Sequence, residues 1–142
     1  MKNLKIIKIP ALLICMALIL CSCTNFDKTL PKDALRITVR PYDSAEYQMY
    51  YTDKTKVLLI SQYLDNLPLE KNDKKEKYNG SVSHYIEILS ENGETTYIML
   101  APEIYRNAKG EEYKISFEDF TQFEEILDML GCDNEPYKQY FK

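Results

Sequence analysis

The side chains with the means for chemistry are few. There is one histidine, His84, and there are three adjacent carboxylate pairs, Glu111-Glu112, Glu118-Asp119 and Glu124-Glu125. A single histidine excludes a cage of several imidazoles around a metal, and it could serve as a general acid or base only with a carboxylate to orient it. It stands in the run Val82, His84, Ile86, Ile88, where alternation places it on an apolar strand face. A hydrogen-bonded core or rim histidine is the plainer reading. Neighbouring carboxylates on a helix or strand point apart, and no loop has the Asp-x-Asp-x-Asp-Gly spacing of a calcium site, so a solvated acidic face accounts for them. No serine occupies a nucleophile elbow, and the four glycines build no phosphate loop. Cys132 follows Gly131, from where a side chain packs back on a helix end near Leu127; a reactive thiol would need an activating partner that the sequence does not show. No catalytic residue, metal or cofactor is assigned on this basis.

Tyrosine is the informative excess. The chain has 12, all beyond residue 23, with Tyr47, Tyr50 and Tyr51 close together. Tyrosine favours strands, which explains part of this. It also offers a large, stiff contact area with a polar tip, and it is enriched where proteins meet proteins or sugars. Tyr50 and Gln48 on the outward face of one strand, with Arg36 and Arg40 on its neighbour, form the candidate binding surface.

The elements that would carry these residues start after a distinctive N-terminus. Lys2, Lys5 and Lys8 precede an uncharged apolar run over residues 9–21. A basic flank followed by an apolar stretch short of the roughly 20 residues that span a bilayer has the layout of an export signal. The run ends in Leu20-Cys21-Ser22-Cys23, which resembles the lipobox of bacterial lipoproteins, with Cys21 standing where Ala, Ser, Thr or Val is more usual. The resemblance covers residues 1–23. It implies cleavage between Ser22 and Cys23, a diacylglyceryl group on the Cys23 thiol, and a domain held at the cell membrane on its extracytoplasmic face. Two acyl chains suit firm anchoring, because one gives only marginal membrane binding. An uncleaved short anchor is the competing reading of the same run.

Processing would remove 22 residues and three lysines, leaving 15 basic against 22 acidic residues, a net charge of −7. An acidic domain excludes nucleic acid as its main partner. Cys15 and Cys21 would leave with the signal and Cys23 would be acylated, so Cys132 has no disulfide partner within the chain.

Residues 1–22 are thus read as signal peptide, 23–33 as a lipid-attached tether and 34–142 as a single domain. Leu35, Ile37 and Val39 alternate with Arg36, Thr38 and Arg40 as a half-buried strand; Tyr47, Met49 and Tyr51 alternate on a returning one. Val57, Ile60, Leu64 and Leu67, widened by Leu59 and Tyr63, predict a helix over 53–67, capped by Thr52 or Asp53 and stopped by Pro68. Residues 68–81 read as a long, solvated connection. Asn92-Gly93 signals a hairpin that sets Ile88 opposite Tyr97 and Ile86 opposite Met99. A second hairpin around Asn107 to Gly110 sets Arg106 opposite Glu111, Glu103 opposite Lys114 and Ile104 opposite Tyr113. Ser116 and Asp119 open a last helix in a capping box, with Phe120, Phe123, Leu127 and Leu130 inward and Gly131 ending it. The tail carries Pro136, Tyr137, Tyr140 and Phe141.

The predicted fold is therefore α+β, with the order ββ-α-ββ-ββ-α: an antiparallel sheet of about six strands with two helices on one face. In size and pattern the domain resembles small uncharacterised α+β lipoproteins of Gram-positive bacteria, which implies anchoring and no particular activity. The expected role is a non-catalytic binding module whose partner is an envelope or extracellular protein or peptide. The alternatives are a small envelope hydrolase using carboxylates or His84, and a structural or immunity-type decoy at the membrane surface.

Overall fold

The computed structural model of the chain describes residues 28, 30–41, 47–73 and 83–134. The export signal, Ser22, Cys23 and the C-terminal aromatic residues lie outside them. The elements are β1 (Ala34–Pro41), β2 (Met49–Tyr51), α1 (Lys54–Asn66), β3 (Glu70–Lys71), β4 (His84–Ser90), β5 (Thr95–Ala101), β6 (Ile104–Arg106), β7 (Glu112–Lys114) and α2 (Phe117–Leu130). The strands form one seven-stranded sheet in the order β2-β1-β4-β5-β6-β7-β3, and every neighbouring pair is antiparallel. The fold is α+β.

The helices follow their sequence signals closely. Asp53 caps α1, its carboxylate accepting from the amides of Thr55 and Lys56. Ser116 and Asp119 close a full capping box on α2, which places two acidic residues at the positive end of the helix dipole. Gly131 ends α2 with its amide on the Leu127 carbonyl and a φ of 62°. Val57, Ile60 and Leu64 of α1 and Phe120, Phe123 and Leu127 of α2 enter one core with Ile37, Val39, Met49, Tyr51, Ile86, Ile88, Ile98, Leu100 and Tyr105 of the sheet. Both helices thus cover the same sheet face. Leu59 turns out of the stripe and is exposed, because Val57, Ile60 and Leu64 already fill the buried arc.

The strands depart from the expected details at four places. Leu35 is 47% exposed, whereas Ile37 and Val39 are buried. The β1–β4 register shifts between Ala34 and Arg36, so Leu35 is the extra residue of a bulge and loses its place in the alternation.

Both hairpins are one residue out of the expected register. Ile86 pairs with Ile98 and Ile88 with Thr96; Arg106 pairs with Glu112, Tyr105 with Tyr113 and Ile104 with Lys114. The turn explains both shifts. The Ser90 amide bonds the Glu94 carbonyl and the Asn107 amide bonds the Glu111 carbonyl, so each loop has three residues. Gly93 and Gly110 close them with φ of 85° and 81°, the left-handed third position that a type I turn with a bulge requires. A two-residue turn would have paired the strands as expected.

The fourth difference is β3. Part of the 68–81 connection is a strand, held because Leu69 is buried in the core while Glu70 and Lys71 pair with Lys114 and Tyr113. This makes seven strands rather than about six.

The segment ahead of β1 is also tied down. Lys28 donates from Nζ to the carbonyls of Asp65 and Leu67 at the C-terminal end of α1, and its own carbonyl accepts from the Tyr105 hydroxyl at 3.1 Å. A cation there suits the negative end of the helix dipole, although burial lowers the Lys28 pKa. Leu30 packs on the core. The stretch that can act as a tether is correspondingly short.

Candidate functional site

Direct cross-strand partners share a face, so the registers sort the side chains. Thr38 faces Tyr50 and Glu87, Glu87 faces Tyr97, Arg40 faces Tyr85, Tyr85 faces Met99, Met99 faces Arg106 and Arg106 faces Glu112. Arg36, two residues from Thr38, belongs to the same face. All three arginines of a chain with 18 basic residues therefore lie on the sheet face opposite the helices, together with Tyr50, Tyr85 and Tyr97. Tyr97 is 56% exposed. Met99, Ala101 and Ile104 form a second, small buried cluster on this face, against which Tyr85 packs.

The arginines are held in defined positions. The Arg36 guanidinium lies over the Tyr50 ring, 5.8 Å from its centroid, and the Tyr50 hydroxyl donates to Gln48 Oε1 at 2.6 Å. A cation over an aromatic face contributes about 0.5–1 kcal/mol where exposed, and more once a partner excludes water. Arg40 pairs with Glu87 at 2.7 Å, and Arg106 pairs with Glu112. Of the four residues singled out in the sequence, Arg36, Tyr50 and Gln48 meet. Arg40 shares their face but turns to β4 instead. Tyr51, grouped with Tyr50 in the sequence, is fully buried in the core. Arg106, Tyr85 and Tyr97 were missed; strand parity would have found them, given the loop lengths.

The edge beside Tyr50 is closed. The Tyr50 amide donates to Asn134 Oδ1 at 2.9 Å, the Tyr50 carbonyl accepts from the Asp133 amide at 2.8 Å, and Asn134 Nδ2 donates to the Gln48 carbonyl at 2.6 Å. One carboxamide thus imitates a neighbouring strand. Asp133 fixes this segment to the start of α1. Its carboxylate accepts from Lys56 Nζ, from the Thr52 amide at 2.7 Å and hydroxyl at 3.1 Å, and from the Asp53 amide at 3.1 Å. The Lys56 ammonium first, and then the Thr52 amide, hold its pKa far below the usual carboxylate range.

Most of the groups with catalytic means are engaged in structure. His84 is 6% exposed, stacked on Phe120 with ring centroids 5.5 Å apart and tilted against Phe123. Its Nε2 meets Glu124 Oε1 at 3.1 Å, and its buried Nδ1 has no partner among the described residues. The Glu111 carboxylate accepts from Asn107 and Tyr113, that of Glu112 from Arg106, and that of Asp119 from the Ser116 amide. Cys132 is half-buried against the core and directs its Sγ to the Asn134 carbonyl. Tyr63 donates to the Asp119 carbonyl at 2.6 Å; burial, then the Asp119 charge, push its pKa up to about 12, so it stays a phenol. Among the described residues no three His, Cys, Asp or Glu side chains converge as metal ligands.

A concavity lies between the helices. It is a groove of about 330 Å³ lined mainly by Leu59, Tyr63, Ile126, Met129 and Leu130. No described helix is long and apolar enough to cross a membrane. No known protein family's sequence profile matches the chain, and no characterised protein or solved structure shows significant similarity to it.

Proposed function

We propose that the protein is a lipid-anchored, extracytoplasmic binding module without catalytic activity, and that the sheet face opposite the helices receives an envelope or extracellular protein or peptide. The anchoring rests on the basic-then-apolar N-terminus and the lipobox-like Leu20-Cys21-Ser22-Cys23. The binding role rests on one observation, the gathering of every arginine with three tyrosines on a single sheet face. Arginine and tyrosine dominate the energetics of protein interfaces, because each combines a wide, stiff contact area with polar groups. The hydrolase alternative loses its main support: His84 is buried and stacked on Phe120 and Phe123, so that its one carboxylate partner, Glu124, does not make it an accessible base.

Two measurements test this reading. The intact mass of the detergent-extracted protein is expected to correspond to a chain starting at Cys23 with acyl mass added, absent from Cys23→Ala; an unmodified full-length mass overturns the anchoring. A photo-crosslinking amino acid at Tyr97, in cells, is expected to trap a discrete partner that the same group at exposed Phe117 does not. Tyr50→Ala is expected to weaken that adduct while leaving stability within about 1 kcal/mol, since the backbone bonds of Tyr50 remain. Equal trapping from both positions refutes the assignment of the face, and loss of fold in Tyr50→Ala would make Tyr50 a core residue.

A further inference from the structure

We infer that the domain stands on the membrane in one orientation, with its β3 edge and the C-terminal end of α1 against the phospholipid headgroups and its β2 edge, carrying Tyr50, turned away. This rests on the anchoring at Cys23 proposed above. Thr24, Asn25, Phe26 and Asp27 separate that cysteine from Lys28. Five residue steps span at most about 18 Å when fully extended.

The place where this short strap meets the domain is well defined, because Lys28 is held from two directions. Its Nζ bonds the last carbonyls of α1, immediately before β3, and its carbonyl accepts from Tyr105 of β6. The strap therefore enters on the β6-β7-β3 side of the sheet.

The other end of α1 marks the opposite side. Lys56 bonds Asp133, and Asp133 and Asn134 bond β2. A 13-residue helix is about 20 Å long, and the seven strands place β2 about 29 Å from β3 at ~4.8 Å per spacing. Both distances exceed what the strap can span. A domain resting on its β2 edge would lift Lys28 beyond the reach of the strap, so that orientation is closed while Lys28 stays docked, and the β3 edge is the one held near the headgroups.

The absence of tryptophan from the chain gives a clean probe. Single tryptophans are introduced at the exposed positions Asn66 and Glu70 on the near side, and at Lys54 and Thr55 on the far side, in the lipidated full-length protein. The proteins are placed in phosphatidylcholine–phosphatidylglycerol vesicles carrying a nitroxide on the headgroup. Asn66→Trp and Glu70→Trp are expected to be quenched several-fold more strongly than Lys54→Trp and Thr55→Trp. Equal quenching at the two ends, or the reverse order, overturns the orientation. Intact mass and vesicle flotation report the anchoring separately. Protein that floats with acylated Cys23 but shows no gradient refutes the orientation alone, whereas protein without acyl mass that fails to float refutes the anchoring and the orientation with it.

Discussion

Replacing Asp133 by alanine removes a single carboxylate that joins three parts of the fold. In the wild type that group accepts from the Thr52 amide at 2.7 Å, the Asp53 amide at 3.1 Å, the Thr52 hydroxyl and the Lys56 ammonium, while the Asp133 amide bonds the Tyr50 carbonyl of β2. The substitution keeps the last bond and loses the others. The site is open enough for water to reach the freed amides, with the Asp133 side chain 24% exposed, so no full burial penalty arises. The loss then compares with deletion of a helix cap, about 1 kcal/mol, plus up to about 1 kcal/mol for a partly exposed ion pair. We expect a decrease of about 2 kcal/mol at neutral pH, corresponding to a fall in Tm of about 6–10 °C for a domain of this size.

Urea unfolding followed by tyrosine fluorescence and circular dichroism checks this value. The pH dependence checks its cause. The folded-state pKa of Asp133 lies below its unfolded value, chiefly through Lys56. Its contribution is therefore complete above the unfolded pKa of about 4 and is lost as pH falls through the folded value. The wild type should keep this stabilisation from pH 7 to about 5 and lose it in the acid range below about 4. In Asp133→Asn, which retains an acceptor but no charge, the acid limb should be shallower. A change below about 0.5 kcal/mol in Asp133→Ala, or an acid limb identical in wild type and Asp133→Asn, would refute the reasoning.

Glu103 turns the corner between β5 and β6 at φ 65°, in the left-handed region; Glu103→Gly is expected to raise stability by up to about 1 kcal/mol in the same unfolding assay, strain relief outweighing the added freedom of the unfolded chain. His84→Phe retains the stacking on Phe120 and Phe123 and removes the unpartnered buried Nδ1 together with the Nε2 contact to Glu124, whose carboxylate is exposed enough to stay hydrated, so stability should hold within about 1 kcal/mol, where an essential buried polar role would appear as a larger loss. Asn134→Ala frees the Tyr50 amide and the Gln48 carbonyl on the β2 edge, and sedimentation at increasing concentration should reveal edge-to-edge association that the wild type does not show.

Local signals made the helices legible from sequence. Asp53 caps α1, Ser116 with Asp119 caps α2 and Gly131 ends it because these interactions involve residues a few positions apart. The strands required information that is not local. Asn92-Gly93 correctly marks a turn, but whether Gly93 is the second or third loop residue decides the register, and only the Ser90–Glu94 closure settles it. The bulge at Leu35 likewise depends on the pairing of β1 with β4, far along the chain. The candidate surface inherits these limits. Arg36, Gln48 and Tyr50 were legible because two successive strands bring them together, whereas Arg106 joins the face through β1, β4, β5 and β6 in turn. An error of one residue at either hairpin changes which side chains lie opposite each other.

The geometry also narrows how a partner can engage. Strand addition needs a free row of backbone amides and carbonyls on a sheet edge. On β2 the Asn134 carboxamide and the Asp133 amide already take that place; β3 offers two residues, Glu70 and Lys71, whose exposed charges discourage further pairing. Among the described residues two surfaces remain. The groove between the helices is apolar and brings no charged side chain into its lining, so it can offer burial but little selection among partners. The opposite sheet face combines arginine, tyrosine and two preformed ion pairs, whose fixed charges reward one arrangement of partner groups and penalise others. In the orientation proposed above, the Arg36–Tyr50 end of that face would be the part farthest from the lipid. A partner approaching from outside the cell would meet first the cation–aromatic pair, which strengthens as water is excluded from it.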